Sequence, residues 1–189
     1  MNTPRQCGDF TEIEKKTFVN ILKVKSLVYC SDIPDLLKEM GIEDYNKNDW
    51  RLFIDSSKKS LKCVLLHNGN LYGSVSIEHS TQLKENYNHI EKVLILINYN
   101  QHQWPICVDF KMVNFLLGQQ SGYTKYTCFI CLWDSRAKKE HYIRKNWPMR
   151  AILKVGEKNI IQPPLVPRDK IILPPLHIKL GLMKQFVNH

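Results

Sequence analysis

The stretch WRLFIDSSKKSLKCVLLHNGNLYGSVSIEH, Trp50 to His79, together with WPICVDF, Trp104 to Phe110, decides the fold. Trp50 to Ile54 is apolar except for Arg51 and runs directly into Asp55. Leu61 to His67 reads as a second strand, and Asn68-Gly69 behind it is a hairpin signal. Leu71 to Ile77 alternates, with Leu71, Val75 and Ile77 on one side and Ser74 and Ser76 on the other. Three consecutive strands with short turns form an antiparallel meander. The period then changes. Leu83, Tyr87, Ile90, Leu94 and Ile97 fall at helical spacing, so Thr81 to Ile97 is expected to pack as one amphipathic helix on the sheet. Trp104 to Val108 is a short strand ending at Asp109, and Phe110 to Leu117 is a helix closed by Gly118. The order strand, strand, strand, helix, strand, helix predicts an α/β fold with a mixed sheet.

On the N-terminal side, Ile13, Thr17, Ile21, Val24 and Val28 mark an apolar stripe, which predicts a helix over residues 11 to 28 capped by Thr11. A second helix is predicted from Ile33 to Met40, with Asp32 as its cap, Pro34 in its first turn and Gly41 as its stop. Two packing helices with solvated lysines are the plainer reading of this segment, and a DNA-contacting appendage is the sharper one. Asp44 to Asp49 reads as a polar linker. On the C-terminal side, Ser135 to Trp147 is basic, and Pro163, Pro164, Pro167, Pro174 and Pro175 exclude a long helix. Leu176, Leu180, Met183 and Val187 restart a helix whose pattern is still running at His189. The expected organisation is a helical segment and linker over 1–49, a partial core over 50–133, and a basic, proline-rich extension over 134–189.

The 189 residues suffice for one well-buried domain, and an apolar content of 43% argues against wholesale disorder. A net charge of +9 favours an anionic partner, with DNA first in line. The opening MNTPRQCGDF carries no apolar leader and no run spans a bilayer, so a nuclear or cytoplasmic location is expected, without secretion and without a membrane partner. The six cysteines are then thiols or metal ligands rather than a disulfide framework.

Two carboxylates side by side at strand ends can hold divalent cations that activate a nucleophile and stabilise the leaving oxygen of a phosphodiester. Mg²⁺ or Mn²⁺ suits such oxygen-rich sites. With the first and fourth strands as neighbours, Asp55 and Asp109 are candidates for this role. Each could instead be a turn or helix-cap aspartate. Cys128-x2-Cys131 has the spacing of half a Zn²⁺ site, with His141 and His177 as candidates to complete it; buried inert thiols and a redox pair remain open. Basic and aromatic residues interleave from Tyr123 to Trp147, making Lys125, Arg136, Lys138, Lys139, Arg144 and Lys145 candidate nucleic-acid contacts. The competing reading is a solvated helix. The other histidines, at 67, 79, 89, 102 and 189, show no catalytic spacing.

Three blocks carry a resemblance: WRLFIDSSKKSLKCVLLHNGN from Trp50, DFKMVNFLLGQQSGYTKYTCFICLWDSR from Asp109 and PPLHIKLGLMKQFV from Pro174. They resemble transposable-element proteins of arthropods, which look like DDE-type transposases with an RNase H-like catalytic core. A more distant similarity is to Transib transposases and the V(D)J recombinase core. The resemblance covers residues 30 to 189. It implies an RNase H-like sheet, DNA as substrate, Asp55 and Asp109 as the first two catalytic acids on Mg²⁺ or Mn²⁺, and Cys128 and Cys131 as Zn²⁺ ligands in the C-terminal extension. It also implies oligomeric action. The third acid and the zinc histidines of that pattern match nothing here, Glu140 and Glu157 included. The expectation is therefore a fragment of a transposase that is inactive alone, with a non-enzymatic zinc-stabilised module binding nucleic acid or protein as the alternative.

Overall fold

The computed structural model describes residues 21–24, 27–56, 60–81, 85–173, 179 and 183. The fold is mixed α/β. Its strands are β1 Ile21–Val24, β2 Leu27–Cys30, β3 Trp50–Ser56, β4 Leu61–His67, β5 Val75–Ser80, β6 Ile106–Cys107 and β7 Ile171–Ile172. Its α-helices are α1 Ile33–Glu39, α2 Tyr87–Leu96, α3 Tyr99–His102 and α4 Phe110–Leu116. One seven-stranded sheet runs β1-β2-β5-β4-β3-β6-β7. Pairing is antiparallel from β1 through to β3, and parallel for β3 with β6 and β6 with β7.

The alternation of β3 explains its place at the centre. Trp50, Leu52 and Ile54 are buried while Arg51 and Phe53 are half-buried and Asp55 is exposed. β4 buries Leu61, Cys63 and Leu65 in the same rhythm. Helices cover that core with Ile33, Leu36 and Leu37 from α1, Ile90, Val93 and Leu94 from α2, and Met112, Val113 and Leu116 from α4. Burial of a side chain such as Leu52 or Leu65, both at 0% exposure, contributes about 1.5–3 kcal/mol each. The buried aromatic edge is satisfied internally. Trp104 Nε1–H donates to Tyr45 Oη at 2.9 Å, Tyr45 reaches His102 Nδ1 at 2.8 Å, and Tyr99 Oη–H donates to the Trp104 carbonyl at 2.9 Å.

Several sequence expectations shift. Residues 11–20 of the first predicted helix lie outside the described residues, and its last part is extended: Ile21 pairs with Cys30 and Val24 with Leu27. β-branched Ile21, Val24 and Val28 fit a pleated edge as well as a helical stripe, and the free edge of β5 takes β2 as its neighbour. The helix at Ile33 forms as expected, with Asp32 Oδ1 accepting the Asp35 N–H at 3.0 Å. The polar linker is not featureless. Asn46 caps a 3₁₀ turn over Lys47–Asp49, and Tyr45 anchors it. Asn68-Gly69 turns the chain, but β5 starts only at Val75, because Leu71 and Tyr72 are exposed in a longer connection. α2 starts at Tyr87, where the Asn86 side chain accepts the His89 N–H at 2.8 Å, so the helix is shorter than the predicted span from Thr81. β6 is only two residues long. Pro105 has no N–H to give to a ladder, though its carbonyl accepts the Leu52 N–H at 2.8 Å.

The C-terminal helix expected from Leu176 lies outside the described residues apart from Lys179 and Met183, both helical. Among the described residues no helix is long and apolar enough to cross a membrane.

Candidate functional site

Phe53 of β3 is paired in parallel with Cys107 of β6. Asp55 comes two residues later within β3, on the face that carries Phe53, and Asp109 comes two residues after Cys107, past the end of β6, where it opens α4. The two acids therefore follow neighbouring strands at matching positions. Asp55 is exposed and sits opposite Lys62 on β4, which in turn sits opposite His79 on β5. Lys62 and His79 are exposed as well, so a polar row crosses the sheet here. Asp109 is half-buried and has a structural duty: its Oδ1 accepts the Met112 N–H at 2.7 Å and caps α4. The cap engages one carboxylate oxygen, and a carboxylate offers about four acceptor positions in all. The helix-cap reading of Asp109 is therefore the one the geometry shows.

Sequence reasoning missed a carboxylate that braces the two acid-bearing segments. Glu85, ahead of α2, accepts from the hydroxyl of Ser56 and forms an ion pair with Lys111 of α4. Ser56 is the residue after Asp55 and Lys111 lies two residues beyond Asp109, so Glu85 ties the two acid-bearing segments together. Burial pushes its carboxyl up, but the bonds from Lys111 and Ser56 outweigh that and hold it below the usual carboxylate range. No spacing rule in the sequence could pair Glu85 with Ser56 or Lys111. Glu140 and Glu157 are engaged locally, with Arg144 at 3.3 Å and Lys154 at 2.8 Å.

Cys128 and Cys131 are brought together in a tight turn in which the Ile130 and Cys131 N–H groups both point at Cys128 Sγ, each at 3.4 Å. The turn is clamped by Arg150, which is buried and donates to the carbonyls of Cys131 at 3.4 Å and Tyr126 at 2.8 Å and to Asn159 Oδ1 at 2.8 Å. His141 Nε2–H donates to the Asp134 carbonyl at 2.7 Å, with its ring stacked on Trp133. His177 lies outside the described residues. Among the described residues no third His, Cys, Asp or Glu joins the two cysteines or the two aspartates as a metal-binding group.

The six candidate nucleic-acid contacts separate. Lys125 and Arg136 line one cleft, together with Lys158, Asn159, Tyr123 and Tyr126. Lys125 is 3.3 Å from Asp134, a bond that raises its ammonium above the usual lysine range. Lys138, Lys139, Arg144 and Lys145 are exposed on a run of turns rather than on a helix, with the Arg144 guanidinium 4.6 Å from the centre of the Trp147 ring. Lys158 was not among the sequence candidates, because nothing in its neighbourhood marks it off from other surface lysines.

A family model described as Domain of unknown function (DUF8703) matches residues 10–166. The chain belongs to this family. The DUF8703 match takes in Asp55, Glu85, Asp109, both cysteines of the turn and Arg150. No curated protein and no solved structure matches the chain.

Proposed function

We propose that this DUF8703 domain is the catalytic-core portion of a DDE-type transposase, an RNase H-like sheet that binds DNA and holds Mg²⁺ or Mn²⁺ on Asp55 and Asp109. The carrying observation is the placement of these two aspartates, each two residues past the parallel pair Phe53–Cys107. The meander β3-β4-β5, then α2, then β6 parallel beside β3, supports the RNase H-like reading.

The donor set fits the metal: Mg²⁺ is commonly held by one or two carboxylates, with water and substrate oxygens completing its shell. When bound there, the ion supplies charge neutralisation and nucleophile activation for phosphodiester chemistry. Asp109 is fixed by its cap on α4, and Asp55 by the β3–β4 ladder. Glu85 pairs with Lys111 and accepts from Ser56, so it braces the two acid-bearing segments and is already neutralised. With only two acids matched to the transposase pattern, the isolated chain is expected to bind metal and DNA but to cleave weakly or not at all. The cysteine turn fits half of a tetrahedral Zn²⁺ site, and the reading assigns Cys128 and Cys131 as its two thiolate ligands.

The two N–H···S contacts at Cys128 also favour a second reading, a zinc-stabilised binding module without catalysis. Thermal unfolding with and without Mn²⁺ separates the two. The first reading expects Mn²⁺ to raise Tm, and Asp55→Asn to abolish the rise while DNA binding persists. No Mn²⁺ effect, combined with loss of one zinc in Cys128→Ser, would select the binding module. Mn²⁺-dependent cleavage of nicked DNA by the isolated chain, lost in Asp55→Ala, would overturn the expectation of weak activity.

A further inference from the structure

The cleft beneath Tyr123 has no role in the acid edge, and its lining is specific. Its volume is about 340 Å³, at the small end of the roughly 300–1,000 Å³ of small-ligand sites. Three cations line it: Lys125, Arg136 and Lys158. Asp134 is paired with Lys125 and its charge also acts on Arg136, while Glu157, paired with Lys154, acts on Lys158; neither Arg136 nor Lys158 forms an ion pair within 4 Å among the described residues. Two tyrosines share the lining, and Tyr123 is fully solvent-exposed, at 108%.

The walls are held. The Asn159 carbonyl accepts the Gln120 N–H at 2.8 Å, the Lys125 carbonyl accepts the Ser135 N–H at 2.8 Å, and the Ser135 hydroxyl donates to the Thr124 carbonyl at 2.7 Å. Lys158 is presented from left-handed backbone, at φ +46°. A surplus of cations beside an exposed aromatic face, on a preorganised frame, suits a ligand with a phosphate and a flat ring.

We propose that this cleft is a subsite for one unpaired nucleotide, its phosphate held by Lys125, Arg136 and Lys158 and its base stacked on Tyr123. An unpaired nucleotide is required because a base-paired one keeps both faces in the helical stack. The subsite rests on the nucleic-acid reading of the proposed function for a single strand as its source, and a free nucleotide offers the same chemistry.

The test uses the full chain with EDTA present, so that the aspartate pair takes no part. Anisotropy is followed for a labelled oligothymidylate of about ten nucleotides and for a blunt duplex of the same length. Thymidine monophosphate is titrated separately, with Tyr123 resonances as the readout. Tyr123→Ala and Lys158→Gly are each expected to weaken single-strand binding about tenfold and to change duplex binding little, while Tyr123→Phe retains it. Lys158→Gly relieves left-handed backbone, so a folding defect cannot account for its loss of binding. Single-strand binding unchanged in both variants would overturn the subsite and leave the nucleic-acid reading standing. Monophosphate binding at Tyr123 without oligonucleotide binding would keep the cleft as a nucleotide site and remove its nucleic-acid source. No binding of any probe would overturn the proposal.

Discussion

Asp109 Oδ1 accepts the Met112 N–H at 2.7 Å, so the second of the two edge aspartates also caps the helix that begins after it. The cap and the proposed metal role are separable by substitution. Asn caps about as well as Asp, whereas Ala costs about 0.5–2 kcal/mol. Asp109→Asn is therefore expected to unfold near the wild-type urea midpoint and to lose the Mn²⁺-dependent rise in Tm. Asp109→Ala is expected to lose both. A wild-type Mn²⁺ response in Asp109→Asn would remove Asp109 from the metal site and leave it a cap alone.

How much of this edge was legible depends on which interactions are local. The alternation of Trp50, Leu52 and Ile54 and the cap at Asp109 are set by near neighbours in sequence, so β3, β6 and α4 could be read. The N-terminal strands could not. Ile21, Val24 and Val28 have helical spacing but strand-favouring β-branched side chains, and the decision comes from an edge of β5 that lies some fifty residues away. Glu85 was invisible for the same reason, its partners Ser56 and Lys111 being 29 and 26 residues distant. The Cys128-x2-Cys131 turn was legible from spacing, but its clamp, Arg150, reads in sequence as one more surface cation.

Gly118 has φ +62°, and a Cβ built on it would lie 2.0 Å from the Gln162 carbonyl oxygen. The Gly118 carbonyl also accepts the N–H groups of Ile161 and Gln162, at 2.8 and 3.1 Å, so the two segments cannot part without losing these bonds. Gly118→Ala is expected to cost well over the ~1–2 kcal/mol of left-handed backbone alone. Gly41, at φ +82°, provides the control, since a Cβ there meets nothing within 4 Å. Gly41→Ala should show the backbone cost only. Equal urea midpoints for the two variants would refute the close approach at Gly118.

Glu78 is 2% exposed, and neither carboxylate oxygen has a hydrogen-bond partner among the described residues. The cause is the irregularity in the β4–β5 ladder. Cys63 pairs with Glu78 while Val64 pairs with Ser76, so Ile77 is the extra residue and both it and Glu78 turn inward. Burial pushes the Glu78 carboxyl up to about 7, and neighbouring Cys63 draws it back only in part. The native state thus binds this proton more tightly than the unfolded chain. The stability linked to it is present in full below the ordinary glutamate value of 4.5 and is lost as pH rises through about 7. The loss is at most about 3 kcal/mol, at 1.36 kcal/mol per pH unit. Glu78→Gln should flatten the decline in urea-unfolding free energy between pH 5 and pH 8, and Glu78→Leu should be the more stable protein at the upper end. An identical decline in Glu78→Gln would assign it to another group.

Arg150 is 3% exposed and forms no ion pair among the described residues, yet it gathers three separate stretches of chain. Its guanidinium donates to the Tyr126 and Cys131 carbonyls and to Asn159 Oδ1, while Arg168 donates to the Arg150 carbonyl. Burial pulls its pKa below the usual arginine range, but the group stays charged, and its acceptors among the described residues are neutral. Arg150→Met would leave three acceptors without their donor, at about 1 kcal/mol or more each. Arg150→Lys keeps the charge but offers a single nitrogen where two separate guanidinium nitrogens now bind, so it should recover only part of the loss. Because the same clamp shapes the cysteine turn and the wall of the basic cleft, both variants should show faster amide exchange at Cys131 and Asn159 and weaker single-strand binding. Exchange at Leu52 and Leu65, in the sheet, should be affected less. Uniform acceleration across the sheet and the turn would mean that Arg150 stabilises the whole fold rather than this segment.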